Sequence, residues 1–192
     1  YKKLILMKLN ISFVNFKKNH KNKKDQIIFA SRKCNNYSKV ENLFRFLLVK
    51  KNSFYEYATI FENYYGTLKK SVETLLDLEK EILFDIDWQG TQQLKKIKSL
   101  PLLTFFIIPP NIHSLKNRLL QRNQDEKKSV EKRMRKFKEE ISHWNEYDHV
   151  VVNDDLEVCY NKILKIINSE RNSIKVFQDM DEIRSKIQEL LK

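Results

Sequence analysis

Glycine is nearly absent from this chain. Only Gly66 and Gly90 occur among its 192 residues. A glycine-rich loop that wraps phosphate oxygens in backbone amides needs several glycines in one short segment. No G-x-x-x-x-G-K-[ST] or G-x-G-x-x-G pattern is present. Cysteine is equally sparse. Cys34 and Cys159 form no metal-spaced pair and no disulfide framework, so a reducing cytoplasm is the expected setting. The four histidines are scattered, with no HExxH, and no metal ligand set is expected. No apolar run approaches the roughly 18 residues of a membrane span. The start, "YKKLILMKLNISFV", is basic and then apolar, as a signal peptide is. It lacks a small-residue cleavage site and is broken by polar residues, so secretion is not expected.

Acidic residues are missing from one end. Residues 1–54 hold 14 Lys or Arg against Asp25 and Glu41, a net of +12 that equals the excess of the whole chain. Residues 55–192 balance to zero. The densest basic stretch, "NFKKNHKNKKD" (Asn15 to Asp25), allows two readings. It is an arm that attracts phosphate or nucleic acid, or a solvated Lys/Asn-rich segment. The second is preferred, because no aromatic follows Phe16 within the run to stack on bases. No nucleic-acid partner and no membrane are therefore expected.

What is present has the period of an α/β protein. Apolar content of 41% supports a real core in a single domain. Ile11–Val14 and Gln26–Ala30 are strand-length apolar runs, and Val40–Val49 reads as a short helix. "SFYEYATIFENYYGT" (Ser53 to Thr67) is aromatic and β-prone. Beyond it, helix and strand alternate: helix 68–78, strand 81–86, helix 91–97, strand 102–108, helices 112–120 and 130–144, strand 149–153 and helix 156–167. "LLTFFII", stopped by Pro109-Pro110, is apolar on both faces, as a central parallel strand is. A last amphipathic helix is expected over Ser173–Leu191, with Ile174, Phe177, Met180, Ile183, Ile187 and Leu190 facing the core.

In a parallel sheet, ligands lie beyond the carboxyl ends of the strands. Asp85 and Asp87 in "EILFDIDWQGTQQLKK" stand at such an end, as do Asn153, Asp154 and Asp155. Two readings of the aspartate pair stay open. Either both carboxylates point into a crevice, or Asp87 caps the next helix and Asp85 only ends the strand.

The blocks "FYEYATIFENYYGT", "ILFDIDWQGTQQLKK", "FFIIPPNIHSLKNRLLQR" and "RMRKFKEEISHWNEYDHVVVNDDL" follow one another in the order and spacing of the guanylate kinase family. This resemblance runs from Phe54 to Ile167, roughly 60% of the chain. It implies an α/β, P-loop-NTPase-like three-layer core with a parallel sheet, a small GMP-binding lobe and a helical lid. The core would take residues 1–27, 68–111 and 149–192, the lobe 28–67 and the lid 112–148. The implied reaction is ATP-dependent phosphorylation of GMP to GDP, with Mg²⁺ accompanying ATP, in a monomer or homodimer.

The resemblance also implies roles. Glu56 and Asp85 match the carboxylates that read guanine, Tyr65 and Thr67 the groups that hold GMP, and Asp87 the aspartate on the magnesium and phosphate side. Arg118, Arg122 and Arg133 match the lid arginines that close on phosphates, and Asn153 the asparagine near the nucleotide. Planar, permanently charged guanidinium groups suit phosphoryl transfer, which needs positioning and positive charge more than covalent help. Spacing alone leaves helix-surface ion pairing open for these arginines, since Arg118 and Arg122 are four apart, as are Arg135 and Glu139. Arg32 and Tyr37, in "FASRKCNNYSKV", match a GMP-phosphate block at shortened spacing.

Residues 1–53 depart from the family. The strand, P-loop and helix that hold ATP phosphates are replaced by "NFKKNHKNKKD", whose lysines supply charge but not an amide nest. Impaired turnover is expected. The N-terminal segment reads as decayed or frame-shifted, or as part of a binding module that does no chemistry on GMP or a phosphorylated ligand.

Overall fold

The computed structural model describes residues 4–9, 28–29, 32–34, 47–60, 63–78, 81–122 and 127–192. The chain divides into two compact units, one within residues 2–8 and 20–103 and the other within 9–19 and 104–192.

The first unit holds two sheets. In one, β6 (Ile82–Asp85) lies between β1 (Leu4–Leu9) and β2 (Ile28–Phe29), parallel to both. Ile82, Leu83 and Phe84 are fully buried, which explains a strand apolar on both faces. In the other, β4 (Phe54–Ile60) and β5 (Asn63–Leu68) form an antiparallel hairpin, with β3 (Arg32–Cys34) on the far side of β5. The β4–β5 register slips between Phe54 and Glu56, then sets Glu56 opposite Thr67 and Ala58 opposite Tyr65. Helices α1 (Lys69–Asp77) and α2 (Trp88–Lys95) complete the unit. Its core joins Val72 of α1, Ile82 and Phe84 of β6, Ile86, and Leu94 of α2.

The second unit contains most of β7 (Leu102–Ile108) and, parallel to it, β8 (His149–Val152), with Phe105 opposite His149 and Ile108 opposite Val152. Around them stand α3 (Ile112–Arg122), α4 (Lys127–Ile141), α5 (Leu156–Arg171) and α6 (Met180–Leu191). Phe106, Ile108, Leu115, Phe137, Ile141, Val150, Ile187 and Leu190 build the core. Side-chain caps start the last two helices. Asp155 accepts from the Val158 amide, and Asp179 from the amides of Asp181 and Glu182. Cys159 is buried, and burial pushes its thiol up to about 11.

The parallel α/β class matches the sequence expectation, and three local readings change. Leu4–Leu9 is a strand where none was expected, whereas Ile11–Val14 lies outside the described residues. Of the helix expected over Val40–Val49, only residues 47–50 are described, and they are helical. The last helix begins at Met180 and not at Ser173, because Asp179 caps it there. Ile174 and Phe177 are solvent-exposed, Phe177 at 89%.

Candidate functional site

The first unit turns sharply from strand to helix at Asp85-Ile86-Asp87. Asp85, last in β6, is exposed, and Ile86 returns to the core. Asp87 is buried, and its Oδ1 accepts from the Gly90 amide at 3.0 Å, capping α2. Its Oδ2 is also buried and has no hydrogen-bond partner among the described residues. The capping reading of Asp87 therefore holds, since its Oδ1 starts α2.

Glu56 supplies a second buried carboxylate from β4, at 2% exposure. Its Oε1 accepts from the Thr67 hydroxyl at 2.6 Å, across the hairpin register. Burial raises the Glu56 carboxyl above the ordinary carboxylate range; the Thr67 hydrogen bond opposes that shift and the Asp87 charge adds to it. Two buried carboxylates thus lie in electrostatic reach of each other, one of them with an unpartnered oxygen. Gly90 makes this approach possible. A Cβ on Gly90 would lie 2.8 Å from Glu56 Oε2. Gln93, one turn further along α2, accepts from the Tyr57 amide at 3.1 Å and donates to the Tyr57 carbonyl at 2.7 Å.

The structure thus brings Glu56, Thr67 and Asp87 together in one unit. Tyr65 stands on the same hairpin, half-buried and opposite Ala58. Arg32 lies on β3 opposite Gly66, and Tyr37 lies outside the described residues. Arg118, Arg122, Arg133 and Asn153 belong to the second unit. There the Arg118 guanidinium donates to the carbonyls of Asn153 at 2.7 Å and Asp154 at 2.6 Å. Arg118 thereby grips the turn after β8, while the Asn153 amide donates to the Ile108 carbonyl at 2.8 Å. Arg122 ends α3, and Arg133 is half-buried on α4. Gly90 and Gln93 carry no signal of their own in a single sequence. Their importance appears only when α2 is set against β4.

Similarity to known proteins decides what this arrangement descends from. The guanylate kinase family model matches residues 36–170. The chain belongs to the guanylate kinase family. It is 44% identical over 124 residues to a guanylate kinase of Novosphingobium aromaticivorans, covering 65% of this chain and 56% of that protein. It is 48% identical over 125 residues to a guanylate kinase of Rickettsia conorii, covering 65% and 54%. The chain thus spans little more than half the length of these two relatives. The crystal structure of guanylate kinase from Anaplasma phagocytophilum shares the fold, with a TM-score of 0.61, 24% identity, and coverage of 88% of this chain and 86% of that one.

The donor set also bears on Mg²⁺. Among the described residues, no group of three His, Cys, Asp or Glu side chains is placed to cage a metal. Mg²⁺ in phosphoryl-transfer sites keeps several waters and takes one or two carboxylates plus substrate phosphates. A single orphaned oxygen on Asp87 fits that pattern and does not fit a resident, all-protein metal site.

Proposed function

We propose that this chain binds GMP in the first unit and descends from an enzyme that moves the γ-phosphoryl group of ATP onto an oxygen of the GMP phosphate, giving ADP and GDP. The observation that carries this reading is the buried Glu56 carboxylate, bonded to Thr67 and within electrostatic reach of Asp87. A carboxylate accepts from the guanine N1–H and exocyclic amine together, a donor pair that adenine lacks. Glu56 and Asp85 read the base, and Tyr65, Thr67, Arg32 and Tyr37 hold the nucleotide. Arg118, Arg122 and Arg133 bring positive charge to the moving phosphoryl group, and Asn153 lies by the nucleotide. Asp87 directs its spare oxygen to the phosphate side, where Mg²⁺, when bound with ATP, would neutralise phosphate charge. The proposed setting is the cytoplasm; separately, among the described residues no helix is long and apolar enough to cross a membrane.

Turnover in this chain is proposed to be impaired, because its 192 residues hold no G-x-x-x-x-G-K-[ST] loop for the ATP phosphates. The same observation favours a second reading, a catalytically silent module that keeps the GMP site. Titration calorimetry with GMP and, separately, with Mg-ATP tests both, beside a coupled assay for ADP release. GMP binding with weak or no Mg-ATP binding is the expected result. Absence of GMP binding overturns the site, and ordinary kinase turnover overturns the impairment.

A further inference from the structure

Asp87, Gly90 and Gln93 recur every three residues along α2, so they lie along one side of the helix. Each does a different job toward the strand that carries Glu56. Asp87 fixes the start of the helix through the Gly90 amide. Gly90, lacking a Cβ, lets Glu56 Oε2 come close to the helix. Gln93 binds both polar groups of the Tyr57 backbone through one side-chain amide.

The last contact has a geometric consequence. β4 is an edge strand of its sheet, and its pairing with β5 slips immediately before Glu56. At an edge and beside a register slip, the ladder fixes a backbone weakly. The Tyr57 amide belongs to the peptide that joins Glu56 to Tyr57, and the Tyr57 carbonyl to the next peptide. Two hydrogen bonds from Gln93 therefore orient both peptide planes, and with them the direction in which Glu56 leaves the strand. Gln93 acts here as a one-residue strand. The Tyr57 side chain is half exposed, and its ring contact is with Phe54 of the same strand, so it does not tie β4 to α2.

We propose that Gln93 is a positioning residue for base selection: it holds β4 so that the Glu56 carboxylate meets the exocyclic amine of guanine. The inference rests on the GMP reading above and adds a residue that touches no ligand. It distinguishes guanine from hypoxanthine, which keeps the N1–H and lacks the amine. A displaced carboxylate loses the amine first, since that bond needs the second oxygen correctly placed.

The test is calorimetric titration of the full chain with GMP and with inosine monophosphate, in the unaltered protein, Gln93→Met, Gln93→Glu and Leu94→Ala. Gln93→Met keeps the length of the side chain and removes both hydrogen bonds. It is expected to weaken GMP binding roughly tenfold and inosine monophosphate binding much less, so the preference between them collapses. Gln93→Glu keeps the acceptor for the Tyr57 amide and is expected to fall between Gln93→Met and the unaltered chain. It also keeps the proposal falsifiable where Gln93→Met fails to fold. Leu94→Ala loosens the same helix from its buried face and is expected to lower the melting temperature while leaving the preference intact. GMP bound with an unchanged preference in both Gln93 variants overturns the positioning role alone. No GMP binding by the unaltered chain overturns the function reading and the positioning role with it.

Discussion

Gln178 closes the free edge of β8 as another strand would. Its Oε1 accepts from the Val150 amide at 2.9 Å, and its Nε2 donates to the Val150 carbonyl at 2.8 Å. Val150 is buried, and β8 pairs with β7 on its other side. An open edge with unpaired backbone groups is a template for strand addition.

Gln178→Leu should remove both bonds and leave two backbone groups of Val150 without partners. A loss on the order of 1–3 kcal/mol in unfolding free energy is expected, measured by urea denaturation. Sedimentation should also show more concentration-dependent self-association than the unaltered chain has. A variant that is equally stable and associates no more than the unaltered chain would show that the edge needs no cover.

Two buried titratable groups give opposite pH trends. Glu56 has its folded pKa raised, chiefly by burial, so its stabilising contribution is complete below the ordinary value of 4.5 and is lost as pH rises through the folded pKa. His149 has its folded pKa lowered, chiefly by burial and against the pull of Asp148 and Glu170, so its contribution is complete above 6.5 and is lost as pH falls toward the folded pKa. Its Nδ1 is buried with no partner among the described residues, and its ring lies 5.4 Å from that of Phe105. Glu56→Gln should flatten the loss of stability on the alkaline side of 4.5, and His149→Phe the loss on the acid side of 6.5. Denaturant titrations across pH 4 to 8 read both, as about one slope change each.

The start of the last helix separates two residues that periodicity treats alike. Leu190 is 1% exposed and Phe177 is 89% exposed. Leu190→Ala should cost about 2–5 kcal/mol in unfolding free energy. Phe177→Ala should stay within about 0.5 kcal/mol of the unaltered chain. Equal losses would mean that Phe177 packs against the core as Leu190 does.

That pair also shows what a single sequence discloses. β7 was legible to the residue, because six apolar residues and one threonine before two prolines allow little but a buried strand. The Asp87 turn was legible as a strand end with two alternatives, of which the helix cap is the one observed. Leu4–Leu9 was read only as a basic-then-apolar start, since its parallel pairing with Ile82–Asp85 is a contact across more than seventy residues that local sequence does not specify. The apolar spacing of Ile174 and Phe177 mimicked a helix face, and a local cap at Asp179 overrode it. Gln93 and Gln178 were invisible for a common reason. Each replaces a missing strand neighbour with a side-chain amide, and no period or composition marks that substitution.

Gly90→Ala separates site geometry from stability. A methyl there would meet Glu56 Oε2 at 2.8 Å and Ile86 Cβ and Cδ1 at 3.3 Å. The carboxylate is the flexible end, so it gives way, and the Thr67 hydrogen bond at 2.6 Å is strained or lost. Alanine is also the better helix former by about 0.8–1.0 kcal/mol, which offsets part of that loss. The melting temperature should therefore change by only a few degrees, while GMP affinity falls about tenfold or more. Thermal denaturation and calorimetry on one preparation give both values. Unchanged GMP affinity in a folded Gly90→Ala chain would mean that Glu56 does not need its place beside α2 to bind the nucleotide.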